Sequence, residues 1–183
     1  RMSSVMQQAL LDFATLDEDS FYASTQQATE ALPCLDEVLL APNAAAYHRL
    51  MGLQAFFDGQ DEIAVTSFRA AMAIEPDYQL SAQLAPEGGK LHRLWLQAKN
   101  GPNPFVGSFT APGGMYVWVD GAEGTLQAED LPSIVQYGLD MDQVRWTAYL
   151  QPGETPPSTM PGVGLVVAQP ERTAPAEPEP EPA

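Results

Sequence analysis

The stretch Leu40-Ala41-Pro42, followed five residues later by His48-Arg49-Leu50, recurs as Leu84-Ala85-Pro86 followed by His92-Arg93-Leu94. The two copies lie 44 residues apart and keep the same internal spacing. Self-similarity at such a period is typical of stacked helical repeats, in which each unit buries its apolar face on the next. The sequence therefore predicts a helical-repeat domain, and such a domain favours recognition or scaffolding over catalysis.

Apolar residues at helical spacing predict about five antiparallel helices within residues 1–100. Breaking and capping residues delimit them, since Pro33 and Pro76 each follow an amphipathic stretch and Asp61 can cap the helix that it begins. The predicted helices run from Ser3 or Ser4 to Leu16, from Ser20 to Leu32, from Pro42 or Asn43 to Phe57, from Asp61 to Ile74 and from Glu87 to Lys99.

The third and fourth predicted helices resemble a tetratricopeptide repeat. Within residues 45–78, the small, small, aromatic, small and proline positions of that family are held by Gly52, Ala64, Phe68, Ala71 and Pro76. The first two small residues would let the helices of one hairpin approach closely, and Phe68 would fill the gap towards the neighbouring helix. The chain departs from the family at His48, where a large apolar residue is usual, and at Ala55, where an aromatic one is usual.

The resemblance implies a protein-binding groove lined by the first helix of each repeat. Its expected contact residues are Tyr47, Met51 and Gln54. His48 and His92 are expected to be structural, each donating a ring N–H to the preceding loop. A shared zinc ion is not predicted, because equivalent positions on stacked helices lie about 8–10 Å apart, whereas a zinc-bound nitrogen lies about 2 Å from the metal. Partner binding by these histidines is the alternative.

After the segment 100–104, the pattern changes to short runs that suit strands. The runs span 105–109, 115–119, 133–137, 144–150 and 162–167. These runs predict a small antiparallel β-sandwich or open barrel over residues 105–168, and hence an α+β chain. Residues 116–121, Tyr-Val-Trp-Val-Asp-Gly, together with Pro132 before the next strand, resemble a PEGA domain. That resemblance implies a module outside the cytoplasm, attached to a surface or envelope protein.

Charge and composition narrow the choice of partner. The formal net charge is −16, spread along the chain, and no cluster of lysine and arginine exists to bind phosphates. Nucleic acid is therefore not the predicted partner, and a basic protein fits better; the alternative is that the acid only maintains solubility. Residues 169–183 are rich in proline and glutamate and predict a disordered linker. Because the chain starts at Arg1 and ends within this run, we interpret it as part of a longer protein.

No motif in the sequence predicts catalysis. A glycine-rich phosphate loop, a Gly-x-Ser-x-Gly elbow, a His-Glu-x-x-His motif and paired cysteines are all missing. No cofactor or metal site is predicted, although calcium binding by Asp140 and Asp142 stays an alternative. Cys34, the single cysteine, is expected to be buried. No stretch reaches the ~20 apolar residues of a membrane span, so membrane contact is expected only through flanking segments.

The sequence thus predicts a non-enzymatic protein–protein interaction or scaffold module. We expect it to be the extracytoplasmic part of a larger bacterial envelope protein, in the periplasm or cell envelope. The alternative function is glycan or peptidoglycan binding, in which Trp118 and Trp146 of the β domain would stack on sugar rings. A cytoplasmic adaptor is the third interpretation.

Overall fold

Helices form the first part of the chain and strands the second. The computed structural model describes residues 2–160, and the predicted strand at 162–167 and linker at 169–183 lie outside them. The helices are α1 (Met2–Ala14), α2 (Glu18–Ala31), α3 (Ala41–Phe57), α4 (Asp61–Ile74) and α5 (Lys90–Lys99). The strands are β1 (Val106–Ser108), β2 (Tyr116–Val119), β3 (Ala122–Glu123), β4 (Leu126–Ala128), β5 (Ser133–Gly138) and β6 (Val144–Leu150). The predicted α+β class is confirmed.

The described strands form two antiparallel sheets and no closed barrel. One sheet has the order β3-β2-β5-β6, and the other pairs β1 with β4. Every residue of β5 is buried, as suits a central strand that is covered on both faces. The turn between β2 and β3 is the two-residue sequence Asp120-Gly121, with φ angles of 51° and 81°. These positive angles are those of the type I′ turn, which Asp-Gly favours.

Aromatic residues hold the first two helical hairpins together. Phe13 of α1 lies 4.9 Å from Phe57 of α3, measured between ring centroids, and Phe21 of α2 lies 5.1 Å from the same ring. In the second hairpin, the ring of Phe68 on α4 lies directly against Gly52 of α3. Phe68 also packs edge-on against Trp95 of α5 at 5.2 Å. The helical core is therefore continuous from α1 to α5.

The two copies of the repeated sequence do not begin their helices at the same point. The first copy starts α3 at Ala41, whereas α5 starts only at Lys90, after the expected Glu87. Gly88-Gly89 stands where the first copy has Ala44-Ala45. Gly88 has a φ angle of 75°, which is incompatible with a right-handed helix. A local sequence difference thus delays the second helix.

Candidate functional site

The helical and β parts meet at a buried junction formed by α3, the β2–β3 turn and β6. The side chain of His48 is fully buried, and its Nε2 lies 2.8 Å from Asp120 Oδ1. The same carboxylate oxygen accepts a hydrogen bond from the backbone N–H of Ile134 at 2.8 Å. The other ring nitrogen of His48 lies 3.4 Å from the Tyr149 hydroxyl. His48 therefore connects its helix to the four-stranded sheet, instead of to the preceding loop as expected from the sequence.

Backbone groups extend this junction on both sides of His48. Gly121 lies so close to the start of α3 that a Cβ added to it would be 2.7 Å from the Leu39 carbonyl oxygen. The N–H of Leu39 donates to the Gln136 side chain at 2.7 Å, and that side chain donates to the Glu37 carbonyl at 3.2 Å. The segment before α3 is thus fixed to β5 by hydrogen bonds.

The three predicted contact residues of α3 differ in how far the junction buries them. Tyr47 is 1% exposed, because Tyr149 of β6 packs edge-on against it with the ring centroids 5.3 Å apart. Burial raises the pKa of both phenol groups. Met51 and Gln54 are half-buried and line a cleft of about 180 Å³ beside Tyr149. The β part therefore covers Tyr47, which is not available to a partner, whereas Met51 and Gln54 stay partly exposed.

The remaining residues of the repeat pattern occupy structural positions. Gly52, Ala64, Phe68 and Ala71 are buried, and Pro76 is exposed just after α4. His92 is half-buried, and its Nδ1 accepts a hydrogen bond from the N–H of Gly88 at 3.3 Å. It therefore contacts the loop before its helix, as an acceptor where a donor was expected. The equivalent histidines of the two copies thus have different partners.

Replacing each histidine in turn tests this difference. We expect His48→Ala to lower the free energy of unfolding by about 1–3 kcal/mol, because it removes a buried hydrogen-bond partner of Asp120. His92→Ala is the matched control. Because His92 is half-buried and forms one long hydrogen bond, this substitution is expected to change the free energy of unfolding by about 0.5 kcal/mol or less. Urea unfolding followed by tryptophan fluorescence measures both. Equal losses in the two variants would contradict the assignment of His48 to the junction.

A surface groove runs along the start of α1 and is open to solvent. It consists of two adjoining clefts of about 560 and 270 Å³, which share Met2, Leu35 and Glu37. The first cleft continues over α2 and the turn after it, and the second continues to the loop between β5 and β6. We call this surface the α1 groove.

The α1 groove combines apolar and acidic side chains. Its apolar lining includes Val5, Leu35, Leu40 and Met141, and the last two are more than half exposed. Its carboxylates, all exposed, are Glu30, Asp36, Glu37 and Asp142. Among residues 2–160, no lysine, arginine or histidine lines either cleft. This part of the described surface is therefore both partly apolar and negatively charged.

Cys34 also lines the α1 groove. Its exposure contradicts the expectation that it is buried. The residue lies in the short 3-10 turn Leu32–Cys34 after α2, where Leu32 faces the core and Pro33 and Cys34 face outwards. Neither the resemblance to tetratricopeptide repeats nor any motif indicated this surface. The only sequence signal for it is the concentration of acidic residues at positions 30–37.

The tryptophans proposed for sugar stacking both belong to packed clusters. Trp118 is buried against Val38 and Val144, so its ring faces are not exposed to a ligand. Trp146 is half-buried and stacks on Tyr137 at 4.9 Å. Within the described part of the chain, no three histidine, cysteine or acidic residues lie close enough to hold a metal ion.

No protein-family model, curated protein or solved structure matches this chain. No helix between residues 2 and 160 is long and apolar enough to cross a membrane. A functional proposal therefore rests on the surfaces described above.

Proposed function

We propose that the protein is a non-enzymatic interaction or scaffold module that binds a partner protein in the α1 groove. The observation that carries the proposal is the combination, in one open groove, of exposed apolar side chains with four carboxylates. The partner segment is expected to be amphipathic, with apolar residues facing Leu35 and Met141 and basic residues facing Glu30 and Glu37. The proposed surface thus lies at the start of α1 and along the segment after α2, away from the residues Tyr47, Met51 and Gln54 that the repeat pattern favours.

The physical basis is a division of roles between the two kinds of side chain. Burial of apolar area provides the main favourable contribution to binding. The carboxylates select a basic partner and accelerate its association, since charge complementarity acts mainly on specificity and association rate. Binding is consequently expected to weaken as salt is added, because exposed charges are screened.

Several sequence-based interpretations remain predictions. They comprise the likeness to tetratricopeptide repeats and to PEGA domains, and the extracytoplasmic location in a bacterial envelope. An envelope location would suit an interaction module, since envelope assemblies are built from contacts between proteins. The glycan-binding alternative would need an aromatic ring other than that of Trp118, because this ring is buried.

Cys34 allows a direct test of the α1 groove. It is the single cysteine of the sequence and lies in the groove, so a photo-crosslinker can be attached there alone. Irradiation in an extract of the organism that makes the protein is expected to capture one partner. The matched control carries Cys34→Ala together with Ala73→Cys, which moves the crosslinker to an exposed position of α4. Capture in equal amounts from both positions would contradict the proposal.

Charge variants then test whether the captured partner binds through the carboxylates of the α1 groove. Replacing both Glu30 and Glu37 with glutamine is expected to weaken its binding about fivefold, since each exposed charge pair contributes about 0.2–1 kcal/mol. Glu62→Gln combined with Glu123→Gln removes two exposed carboxylates outside the groove and is expected to leave affinity unchanged. Fluorescence anisotropy at two salt concentrations provides the measurement. Equal affinity of the two double variants would exclude the groove as the binding surface.

A further inference from the structure

The strand β1 has only one neighbour among the described strands. It pairs antiparallel with β4, in the register Val106 with Ala128, Gly107 with Gln127 and Ser108 with Leu126. Just beyond β4, the carbonyl of Glu129 accepts a hydrogen bond from the N–H of Gly153 at 2.8 Å. The far side of β1 has no such contact with any residue in the range 2–160. Among the described residues this side of β1 is thus a free strand edge, which we call the β1 edge.

The hydrogen-bonding groups at the β1 edge follow from the pairing. The N–H of Glu129 donates to the Phe105 carbonyl at 2.7 Å, and the N–H of Phe109 donates to the Thr125 carbonyl at 3.2 Å. Residues 105, 107 and 109 therefore face β4 with their backbone groups, since these groups alternate in direction along an antiparallel strand. Val106 and Ser108 accordingly direct two N–H and two C=O groups away from β4. No described residue forms a hydrogen bond with them.

The side chains around the β1 edge are unusually apolar for an exposed surface. Phe105, Val106 and Leu126 are 73%, 60% and 65% exposed. Val106 and Leu126 lie on the same face of the β1–β4 pair, because cross-strand partners share a face and alternate residues share one too. An apolar side chain on an added strand would pack beside Val106 on this face.

The opposite face of β1 carries an acidic group over Gly107, between Phe105 and Phe109. Gly107 has no side chain there, and the Glu129 carboxylate lies over the space, so that an added Cβ would be 2.9 Å from Glu129 Cδ. Within residues 2–160, Glu129 forms no ion pair. It also lines a cleft of about 250 Å³ together with Glu154, and no basic residue of the described chain lines that cleft. A basic side chain on an added strand would meet Glu129 at this point.

We infer that the β1 edge binds an extended segment of a partner protein by strand addition, with apolar and basic residues alternating along that segment. Main-chain hydrogen bonds to Val106 and Ser108 supply affinity, and the side chains supply selectivity. The apolar residues pack beside Val106 and the basic residue pairs with Glu129. This surface lies on the β part, so the inference does not depend on the α1 groove.

Charge selects this occupant over a second copy of the chain. Two copies, each with a net charge of −16, would repel one another, and pairing of two β1 edges would bring two Glu129 carboxylates near each other. A basic strand, in contrast, would be attracted to the acidic chain and to the Glu129 carboxylate. The acidic surroundings that oppose self-association therefore favour a cationic partner segment.

The inference is tested with a synthetic peptide in which valine and lysine alternate. The peptide has about ten residues, the upper length of an ordinary strand. Amide hydrogen exchange followed by NMR on the full chain is expected to slow at Val106 and Ser108 when the peptide is added. A peptide of the same composition with valines and lysines in blocks is the control for nonspecific attraction. Ser108→Pro removes an outward-facing N–H while leaving the pairs with β4, and we expect it to weaken binding at least about tenfold.

A second variant covers the case in which Ser108→Pro disturbs folding. Glu129→Gln is expected to weaken binding about threefold, whereas Glu123→Gln on β3 leaves it unchanged. Equal binding of the alternating and block peptides, or an unchanged affinity of both test variants, would overturn the inference. Slow exchange at Val106 and Ser108 in the free protein at every concentration would overturn it too, because the chain itself would occupy the edge. Slow exchange that appears only at high concentration would assign the edge to a second copy.

Discussion

Gly121→Ala is expected to lower the free energy of unfolding by about 3 kcal/mol or more. Two costs add at this position. The φ angle of 81° is unfavourable for a residue with a side chain, at roughly 1–2 kcal/mol. The new Cβ would also lie 2.7 Å from the Leu40 carbonyl carbon, in a contact with backbone that has little freedom to move. Such overpacking costs about 1–3 kcal/mol.

Gly59→Ala separates the two costs. Gly59 has a similar φ angle of 72°, but no atom lies within 4 Å of its added Cβ. Gly59→Ala is therefore expected to lower the free energy of unfolding only by the cost of the positive φ angle, about 1–2 kcal/mol. Urea unfolding of both variants gives the difference. If Gly121→Ala were no more destabilised than Gly59→Ala, the turn between β2 and β3 would not be in contact with the start of α3.

Phe68→Ala is expected to be the most destabilising single substitution considered, at about 3–5 kcal/mol. The ring is fully buried between Gly52 and Trp95, so its removal leaves a cavity between three helices. Loss of the edge-on contact with Trp95 should also change the tryptophan emission of the folded protein. Urea unfolding monitored by circular dichroism measures the stability independently of that change.

A double-mutant cycle shows whether Gly52 is small because of Phe68. Gly52→Ala alone is expected to destabilise the protein by about 1–3 kcal/mol, because the new Cβ would lie 2.6 Å from Phe68 Cδ1. In the Phe68→Ala background that contact is gone. There the same substitution is expected to stabilise the helix by up to about 1 kcal/mol, the difference in helix propensity between alanine and glycine. Additive effects, with no change of sign, would show that another contact restricts position 52.

The helices and the longer strands could be predicted because each of them is encoded by its own local sequence. Helix α4 was predicted over Asp61–Ile74 and strand β6 over 144–150, and the structure has the same bounds. Both follow from clear apolar periodicity ended by a proline. Strands β3 and β4 were not predicted, because Ala122–Glu123 and Leu126–Ala128 are too short to show an alternating pattern. Their pairing depends on the neighbouring strands more than on their own residues.

The surfaces could not be predicted, because they depend on contacts distant in sequence. The resemblance to a helical repeat placed Tyr47 in an open groove, but Tyr149 covers it from a position 102 residues later. His48 and Asp120 are separated by 72 residues, and no local pattern links them. The exposed side of α1 likewise becomes a groove only through the segment after α2 and the loop after β5. A single sequence contains no direct signal for such pairings.

The junction between α3 and the sheets has a consequence for biosynthesis. The N–H of Leu39 donates to the side chain of Gln136, which is 97 residues later in the chain, and the His48 ring contacts Tyr149, which is 101 residues later. Chains fold from the N-terminal end as they leave the ribosome. The helices can therefore form early, but the face of α3 that bears Tyr47 and His48 stays uncovered until β6 has been made. During that interval the nascent helical part exposes an apolar face, and such exposed surface is prone to aggregation.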